Sequence, residues 1–237
     1  MKKKIPGGII PFCLLMVLFA AGCGTLPIKK YYLLNYIPTP PQARLNEAPY
    51  PFTLRLKEFS IEDAYARPQI VYRQSPYELQ FYFYQVWAVK PAQMINDLVF
   101  KHLAAMNLIR AVVRRYDGGA KPDFELSGAI EAIDEYDSEE VWFAHMALRF
   151  RLTRLTDGRV IYTRRFDNRK RVFQNNPQNV VKEMSAIMEF IMDQVVGDLD
   201  TILSNENGHP GNPIQPVPES EAPVMDLPAD SGKTGAR

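Results

Sequence analysis

The chain has 237 residues, 46% of them hydrophobic, and its 28 basic and 27 acidic side chains leave a formal net charge of +1. A nearly neutral chain offers no concentrated positive surface, so electrostatics give no argument for binding to nucleic acid. The sequence has no internal repeat, and its length fits one folded domain with additional terminal segments.

The amino terminus has the layout of a secretory signal peptide. Lysines at residues 2–4 supply a positive start, residues 9–19 form an apolar stretch, and small residues at 20–22 lead directly into Cys23. The apolar stretch is shorter than the roughly 20 residues that a membrane-spanning helix needs. A cysteine after Ala-Ala-Gly resembles the lipobox of bacterial lipoproteins, in which that cysteine is diacylated and becomes the mature amino terminus. Ala20 stands where leucine is usual in that motif.

We therefore predict that Cys23 is lipidated. Cleavage before Cys23 removes Cys13, the other of the two cysteines, and lipidation consumes the remaining thiol. No thiol is then left for a disulfide, a metal site or a nucleophile, so the domain has to be stabilised by a sizeable hydrophobic core. The alternatives are an ordinary signal peptide with a cysteine placed there by chance, and an uncleaved membrane anchor.

The chain divides into four segments: a lipoprotein signal peptide at 1–22, an acylated tether at 23–30, a folded domain at 31–204 and a tail at 205–237. The tail is rich in proline, has no aromatic residue and shows no hydrophobic period. Such a composition cannot bury enough surface to offset its chain entropy, so we predict that the tail is disordered. Both a dispensable tail and a partner-binding segment are compatible with this composition.

The folded domain begins with strands. Residues 31–34 are a short apolar and aromatic run, and residues 52–59 alternate with period two, as in a strand with one buried face. Residues 70–73 and 78–84 predict a hairpin that turns near Ser75-Pro76.

Two helices are predicted farther along the chain. The first begins at Pro91, a residue that suits the first turn of a helix, and its apolar side chains recur at helical spacing. A longer helix opens at Asn176-Pro177 and ends near residue 204. The intervening strands are predicted at 109–116, 124–130, 146–153 and 160–162, with a hairpin turn at 156–159. This order predicts an α+β fold, a single domain with a largely antiparallel sheet and two helices packed on one face.

Residues that would carry catalysis or bind a metal are few. No two of His102, His145 and His209 have the spacing of metal ligands, and the sequence has no nucleophile elbow, phosphate-binding glycine loop or paired-histidine helix. Acidic side chains crowd residues 134–140, where we favour a solvated loop over a cation site because the spacing of a calcium loop is missing. We predict no catalytic residue, no metal site and no cofactor.

Two surfaces are candidates for docking a partner. Aromatic residues crowd 70–92, and consecutive strand residues point to opposite faces, so residues 81–84 place rings on both faces. One face can enter the core, whereas the other needs cover from a helix, a ligand or a neighbouring subunit, which a homo-oligomer would supply. The second surface is the basic cluster at 164–171. A central strand covered on both sides and a charged strand end are the alternatives. The candidate docking residues are Tyr77, Phe81, Phe83, Trp87, Arg169, Lys170 and Arg171.

Three motifs occur together in the folded domain. Tyr31-Tyr32-Leu33 follows shortly after Cys23, residues 70–79 read Ile-Val-Tyr-Arg-Gln-Ser-Pro-Tyr-Glu-Leu, and Tyr84-x-x-Trp87-Ala88 precedes Pro91. In combination and spacing they resemble the ABC-type transport auxiliary lipoproteins, a family that includes the paraquat-inducible protein C lipoproteins. The resemblance covers about residues 23–204.

This resemblance implies a non-catalytic component of a lipid transport system of the mammalian-cell-entry (MCE) type. In such systems an inner-membrane ABC permease and ATPase act with an MCE protein that bridges the periplasm. The auxiliary lipoprotein is expected at the outer membrane, held by its lipid anchor, where it docks that bridge. Gly24 fits this location, because it is not the aspartate that retains lipoproteins at the inner membrane in enteric bacteria. A lipoprotein that binds peptidoglycan or regulates a cell-wall synthase is the alternative, and a lipid-anchored hydrolase is a third.

Overall fold

The computed structural model describes residues 27–42, 47–115, 118, 121–137, 141–174, 176–208, 220–221 and 225–227. Within these residues the chain forms one 11-stranded sheet and two helices. The strands are β1 (Lys30–Tyr32), β2 (Tyr50–Leu56), β3 (Ser60–Ile61), β4 (Gln69–Ser75), β5 (Glu78–Trp87), β6 (Ile109–Val113), β7 (Phe124–Asp137), β8 (Trp142–Arg154), β9 (Val160–Val172), β10 (Ser220–Glu221) and β11 (Met225–Leu227). The helices are α1 (Pro91–Ala105) and α2 (Pro177–Gly208). The predicted signal peptide and Cys23 lie outside the described residues.

Three long strands form the centre of the sheet. β7 pairs with β8, and β8 with β9, in antiparallel register along most of their length. Side chains alternate between the two faces of β8, and Met146, Leu148 and Phe150 on one of these faces are fully buried. The rings of Phe150 and Phe166 meet edge to face in the core, with centroids 5.9 Å apart.

The other edge of β7 is lined by three strands that follow one another along it. β2, β3 and β4 each pair with β7 in parallel orientation. β4 and β5 form an antiparallel hairpin, whereas the β1–β5, β2–β6, β9–β10 and β9–β11 pairs are parallel. The prediction of a largely antiparallel sheet is therefore wrong, because the sheet is mixed. Side-chain alternation identifies a strand and its buried face but carries no information about the direction of its neighbour. The α+β class with two helices is consistent with the structure.

Both helices pack against the sheet and against each other, and their apolar faces share one hydrophobic core with it. The segment that follows β1 crosses both helices. The Leu34 N–H lies 3.3 Å from the Sδ of Met94 on α1, and the Asn35 N–H donates to the Oγ of Ser185 on α2 at 3.1 Å. The chain that follows the predicted tether is thus fixed to the helical layer immediately after β1.

The second helix is longer than predicted. The Oδ1 of Asn176 accepts a hydrogen bond from the N–H of Gln178 at 2.9 Å, which caps its start, and the helix ends at Gly208. In the last turn, Glu206 forms an ion pair with Arg154 at the end of β8, which holds the helix end against the sheet. Residues 205–208, β10 and β11 belong to the segment predicted to be disordered, so the structure differs from the prediction at these residues. The remaining residues of the tail lie outside the described residues.

Candidate functional site

The β4–β5 hairpin carries the most exposed aromatic side chains of the described chain. Tyr77 in its turn is 98% exposed, and Phe83 on β5 is 85% exposed. The ring of Tyr82, the residue before Phe83, instead packs on the ring of Tyr72 at a centroid distance of 4.7 Å. The Tyr82 hydroxyl donates a hydrogen bond to the Oε2 of Glu135 at 3.0 Å. Neighbouring residues of β5 thus place rings on both sides, as the alternation predicts, and one of these sides is open to solvent.

Two of the aromatic docking candidates are covered. The guanidinium of Arg67 lies 3.8 Å from the ring centroid of Phe81, which is half-buried. Trp87 is only 4% exposed and packs in the hydrophobic core. Of the aromatic candidates, Tyr77 and Phe83 therefore offer their rings to a partner, whereas Trp87 has a structural role.

The edge strand β1 continues this exposed apolar surface. It runs parallel to β5, with Lys30 opposite Gln85. Ile28, just before the strand, is 83% exposed, and Tyr31 within it is 67% exposed. The exposed surface of the hairpin therefore extends to the described strand that is closest in sequence to Cys23.

The basic cluster does not form one surface, because alternate residues of β9 point to opposite faces. Lys170 points toward α2, where its Nζ forms an ion pair with Glu183 at 2.9 Å, and the residue is buried. Arg169 points to the other face, and its guanidinium lies 5.6 Å from the ring centroid of Tyr136. Arg171, which lies on the same face as Arg169, is exposed.

The remaining arginines of the cluster are paired. The Nη1 of Arg164 lies 2.7 Å from Asp198 on α2. The Nε of Arg165 lies 2.6 Å from Glu131, and its Nη2 lies 2.9 Å from Asp167. Among the described residues, Arg169 and Arg171 are the members of the cluster that form no ion pair. Arg171 is exposed, whereas Arg169 is half-buried and pairs in the sheet with Asp226 of β11.

A buried polar network lies on the face of the sheet that carries Arg169. The carboxylate of Asp134 accepts hydrogen bonds from the hydroxyl of Tyr65 at 2.9 Å and the Nε of Arg73 at 2.7 Å. Its other oxygen lies 2.7 Å from the Nδ1 of His145, and the Nε2 of His145 lies 3.0 Å from the Oδ1 of Asp167. Both ring nitrogens of His145 therefore have a carboxylate partner.

These contacts set the charge state of the network. Burial lowers the pKa of His145, but the hydrogen bonds to Asp134 and Asp167 outweigh it and raise this pKa above its usual value. The hydrogen bond from His145 is in turn the largest cause that lowers the pKa of Asp167, to about 2. The two carboxylates thus favour the imidazolium form of His145, and neither ring nitrogen is free to exchange a proton with a substrate.

The expectation of a solvated acidic loop is wrong at Asp134 and Glu135, which lie within β7 and are buried. Burial raises the pKa of Glu135 to about 7. In the part of the chain that the structure describes, no group of carboxylate, histidine and thiol side chains is arranged to hold a metal ion. The network was missed because Tyr65 and Arg73 lie far earlier in the sequence, so no local pattern indicates it.

The histidine of α1 is also structural. His102 is fully buried, its Nδ1 lies 3.2 Å from the hydroxyl of Tyr36, and its Nε2 lies 3.5 Å from Asp193 on α2. Burial lowers the pKa of His102 to about 4, so its ring is neutral at physiological pH. It links the two helices to the segment after β1.

A groove of about 900 Å³ opens beside the start of α1. Its lining includes Phe59, Lys90, Asn96 and Arg114. The positive charge of Arg114 is offset by Asp97, at 2.7 Å. The groove therefore has mixed charge and no concentration of one sign that would select a ligand.

These features define a mixed-sheet α+β domain with an exposed aromatic edge next to its amino terminus. Residues 32–196 match the family of ABC-type transport auxiliary lipoprotein components. The match spans more than half of the chain, and this protein belongs to that family. No curated protein matches the chain.

Solved structures share the fold. A crystal structure of a Xanthomonas campestris protein has a TM-score of 0.66 and 21% identity, with 76% of this chain and 98% of that chain covered. The crystal structure of an uncharacterized protein has a TM-score of 0.57 and 14% identity, with 73% of this chain and 99% of that chain covered. At these identities the likeness shows the fold alone.

Membership of a lipoprotein family makes this a membrane-anchored protein of the cell envelope, associated with an ABC transport system. Neither helix in the described part of the chain is long and apolar enough to cross a membrane.

Proposed function

We propose that this protein is the outer-membrane auxiliary lipoprotein of an MCE-type ABC lipid transport system. In this role it docks the MCE protein that spans the periplasm and, through it, the ABC permease and ATPase. Membership of the auxiliary lipoprotein family is the observation that carries the proposal. Gly24 supports the outer membrane as the location, since the aspartate of inner-membrane retention is missing after Cys23.

The lipid on Cys23 would hold the domain at the membrane surface. Acyl chains contribute about 0.8 kcal/mol for each buried methylene, so a diacylated cysteine with a further amide-linked chain is a firm anchor. The chain from Cys23 to the start of β1 at Lys30 is short and spans at most about 25 Å when fully extended. A partner that begins at the inner membrane would therefore have to reach this domain at the outer membrane.

The role we propose is non-catalytic. The buried histidines of the described chain act as structural links, since His145 is held between two carboxylates and His102 is neutral between the helices. Neither is placed to act as a general base on a bound substrate.

We propose the surface around half-buried Arg169 and exposed Arg171 as the protein-docking site. These side chains lie on the sheet face opposite Lys170, and neither forms an ion pair with any side chain that the structure describes. An acidic surface on the partner would complement their charge. Lys170 is excluded from this site because it is buried against Glu183.

Co-purification from detergent extracts tests the docking function. The acylated, tagged protein is expected to retain the MCE-domain protein of the same bacterium, and repeated failure alongside a working positive control would remove the proposal. Binding to isolated peptidoglycan in place of the MCE protein would favour the peptidoglycan-binding alternative.

A matched pair of variants tests the docking surface. Arg169→Gln with Arg171→Glu should lower the recovered MCE protein several-fold. Arg110→Gln with Arg151→Glu makes the same charge change at exposed positions on β6 and β8 and should leave recovery unchanged. Equal recovery by both double variants would show that the basic surface is not the dock and would leave the function itself untouched.

A further inference from the structure

The direction from which the lipid anchor reaches the domain follows from the pairing of β1. β1 is parallel to β5, with Lys30 opposite Gln85 and Tyr32 opposite Trp87. In a parallel pair, residues before Lys30 lie toward the start of the partner strand. The start of β5 is the turn of the β4–β5 hairpin, with Tyr77 at its tip. Residues 27–29 therefore run toward the end of the sheet that carries this turn, and Cys23 precedes residue 27 by four positions.

The hairpin reaches about as far beyond the level of Lys30 as the extended chain from Lys30 back to Cys23 does. Gln69 pairs with Val86 and Ser75 with Glu78, and the six residues of β4 between these pairs rise about 20 Å toward the turn. The seven residues from Cys23 to Lys30 span at most about 25 Å. When lipidated Cys23 lies at the membrane surface on this side, the turn of the hairpin lies at that surface too.

The side chains along this path have the chemistry of a membrane interface. Tyr77, Phe83 and Ile28 are 98%, 85% and 83% exposed. Lys29 and Lys30, which follow Ile28 in the chain, are also exposed. Aromatic rings are enriched where a protein meets the headgroup region of a bilayer, and lysine side chains favour anionic headgroups. Transfer of the exposed Tyr77 ring from water into this region removes apolar surface from water, which is favourable.

The protein-docking residues are displaced from the tip. Arg171 pairs across the sheet with Phe143, which pairs with Tyr136, which lies opposite Arg73. Arg171 is thus level with Arg73, which lies two residues, or about 7 Å along the strand, before the Ser75–Glu78 pair at which the hairpin turns.

We propose that the turn of the β4–β5 hairpin contacts the lipid bilayer that holds the anchor, with Tyr77 in the headgroup region and with Phe83 and Ile28 farther from the bilayer, along the path to the sheet. The partner of this surface is the membrane itself rather than a protein. The proposal rests on lipid anchoring at Cys23 and does not depend on docking of an MCE protein.

Fluorescent labels on introduced cysteines test this contact, because acylation leaves the mature protein without another free thiol. The acylated variants Tyr77→Cys and Val160→Cys are labelled with nitrobenzoxadiazole and placed in vesicles of phosphatidylethanolamine and phosphatidylglycerol. Val160 is the matched control: it is 41% exposed and begins β9, which runs in the same direction as β4, so it lies at the opposite end of the sheet.

Doxyl-labelled lipid added to these vesicles should quench the label at position 77 several-fold and leave the label at position 160 unchanged. Both positions are exposed, so unlabelled and labelled proteins should unfold at the same temperature. Equal responses at the two positions would overturn the proposal. So would a label at position 77 that ignores the quenching lipid but becomes shielded when the MCE protein is added, since the hairpin would then be a protein dock.

Discussion

The Nδ1 of His145 lies 2.7 Å from the Oδ1 of Asp134, and both residues are almost completely buried. A histidine–carboxylate pair often orients a general base, but here Asp167 binds the second ring nitrogen. Tyr65 and Arg73 in turn occupy the other oxygen of Asp134. The pair therefore joins β7, β8 and β9 to the segment before β4 and stabilises the sheet.

The raised pKa of His145 makes the stability of the fold depend on pH. Because the folded-state pKa lies above the unfolded value, the folded state binds the proton more tightly. This stabilisation is fully present below the unfolded pKa of about 6.5 and is lost as the pH rises through the folded-state pKa. Urea unfolding of the native protein should show this decline above pH 6.5.

The variant His145→Gln separates this residue from other titrating groups. It should cost about 3 kcal/mol near pH 6, because the carboxylates of Asp134 and Asp167 lose a charged partner. Its free energy of unfolding should also lack the part of the decline that begins above pH 6.5. A variant with the same slope as the native protein would show that His145 is neutral in the folded state.

Glu135 makes a second, separable contribution. Its pKa of about 7 lies above the ordinary value of 4.5, since burial disfavours the charged form. The folded state therefore binds this proton more tightly, and the stabilisation is complete below pH 4.5 and lost as the pH rises through about 7. At pH 8, Glu135→Gln should be more stable than the native protein by about 3 kcal/mol.

The measurement compares urea unfolding of Glu135→Gln and Glu58→Gln across this range. Glu58 is exposed and serves as the matched control, so its variant should follow the native curve. The glutamine at position 135 can still accept the hydrogen bond from Tyr82, which keeps the test on charge alone. No gain at high pH would mean that Glu135 is ionised in the folded state at neutral pH.

Two glycines should respond in opposite ways to alanine. A Cβ on Gly128 in β7 would lie 2.4 Å from the Cε2 of Phe59 and 2.6 Å from the carbonyl oxygen of Arg149, so the sheet would have to move. Gly128→Ala should therefore cost about 2 kcal/mol. A Cβ on Gly197 in α2 meets nothing within 4 Å, and Gly197→Ala should stabilise the helix by about 1 kcal/mol. Urea unfolding of both variants checks the pair, and a neutral Gly128→Ala would contradict the close contact.

The elements of this fold follow from local sequence patterns. The helix starts at Pro91 and Pro177 and the hairpin turn near Ser75 each depend on residues a few positions apart. Period-two alternation likewise indicates strands, although the predicted strand at 124–130 is only half of β7. The second half was missed because Asp134 and Glu135 are acidic residues buried in a strand.

Partners that are distant in the chain could not be predicted in this way. Arg73 and Asp134 are 61 positions apart, yet their hydrogen bond is what allows Asp134 to be buried. The same is true of strand direction, since the parallel pairing of β4 with β7 depends on the path of the chain between them. Among the candidate docking residues, the sequence could not separate buried Lys170 from exposed Arg171, because that depends on which face carries the helix.

The ion pair between Lys170 and Glu183 should be structural rather than part of a docking surface. Its atoms are 2.9 Å apart, and the side chains retain 11% and 13% of their exposure. Lys170→Met keeps the apolar stem but leaves the carboxylate of Glu183 without its partner, so it should cost about 3 kcal/mol in urea unfolding. Lys170→Met with Glu183→Met should recover most of this loss, because no buried charge then remains. The double variant should retain the MCE protein at the native level in co-purification, and loss of binding by a stably folded double variant would return Lys170 to the docking surface.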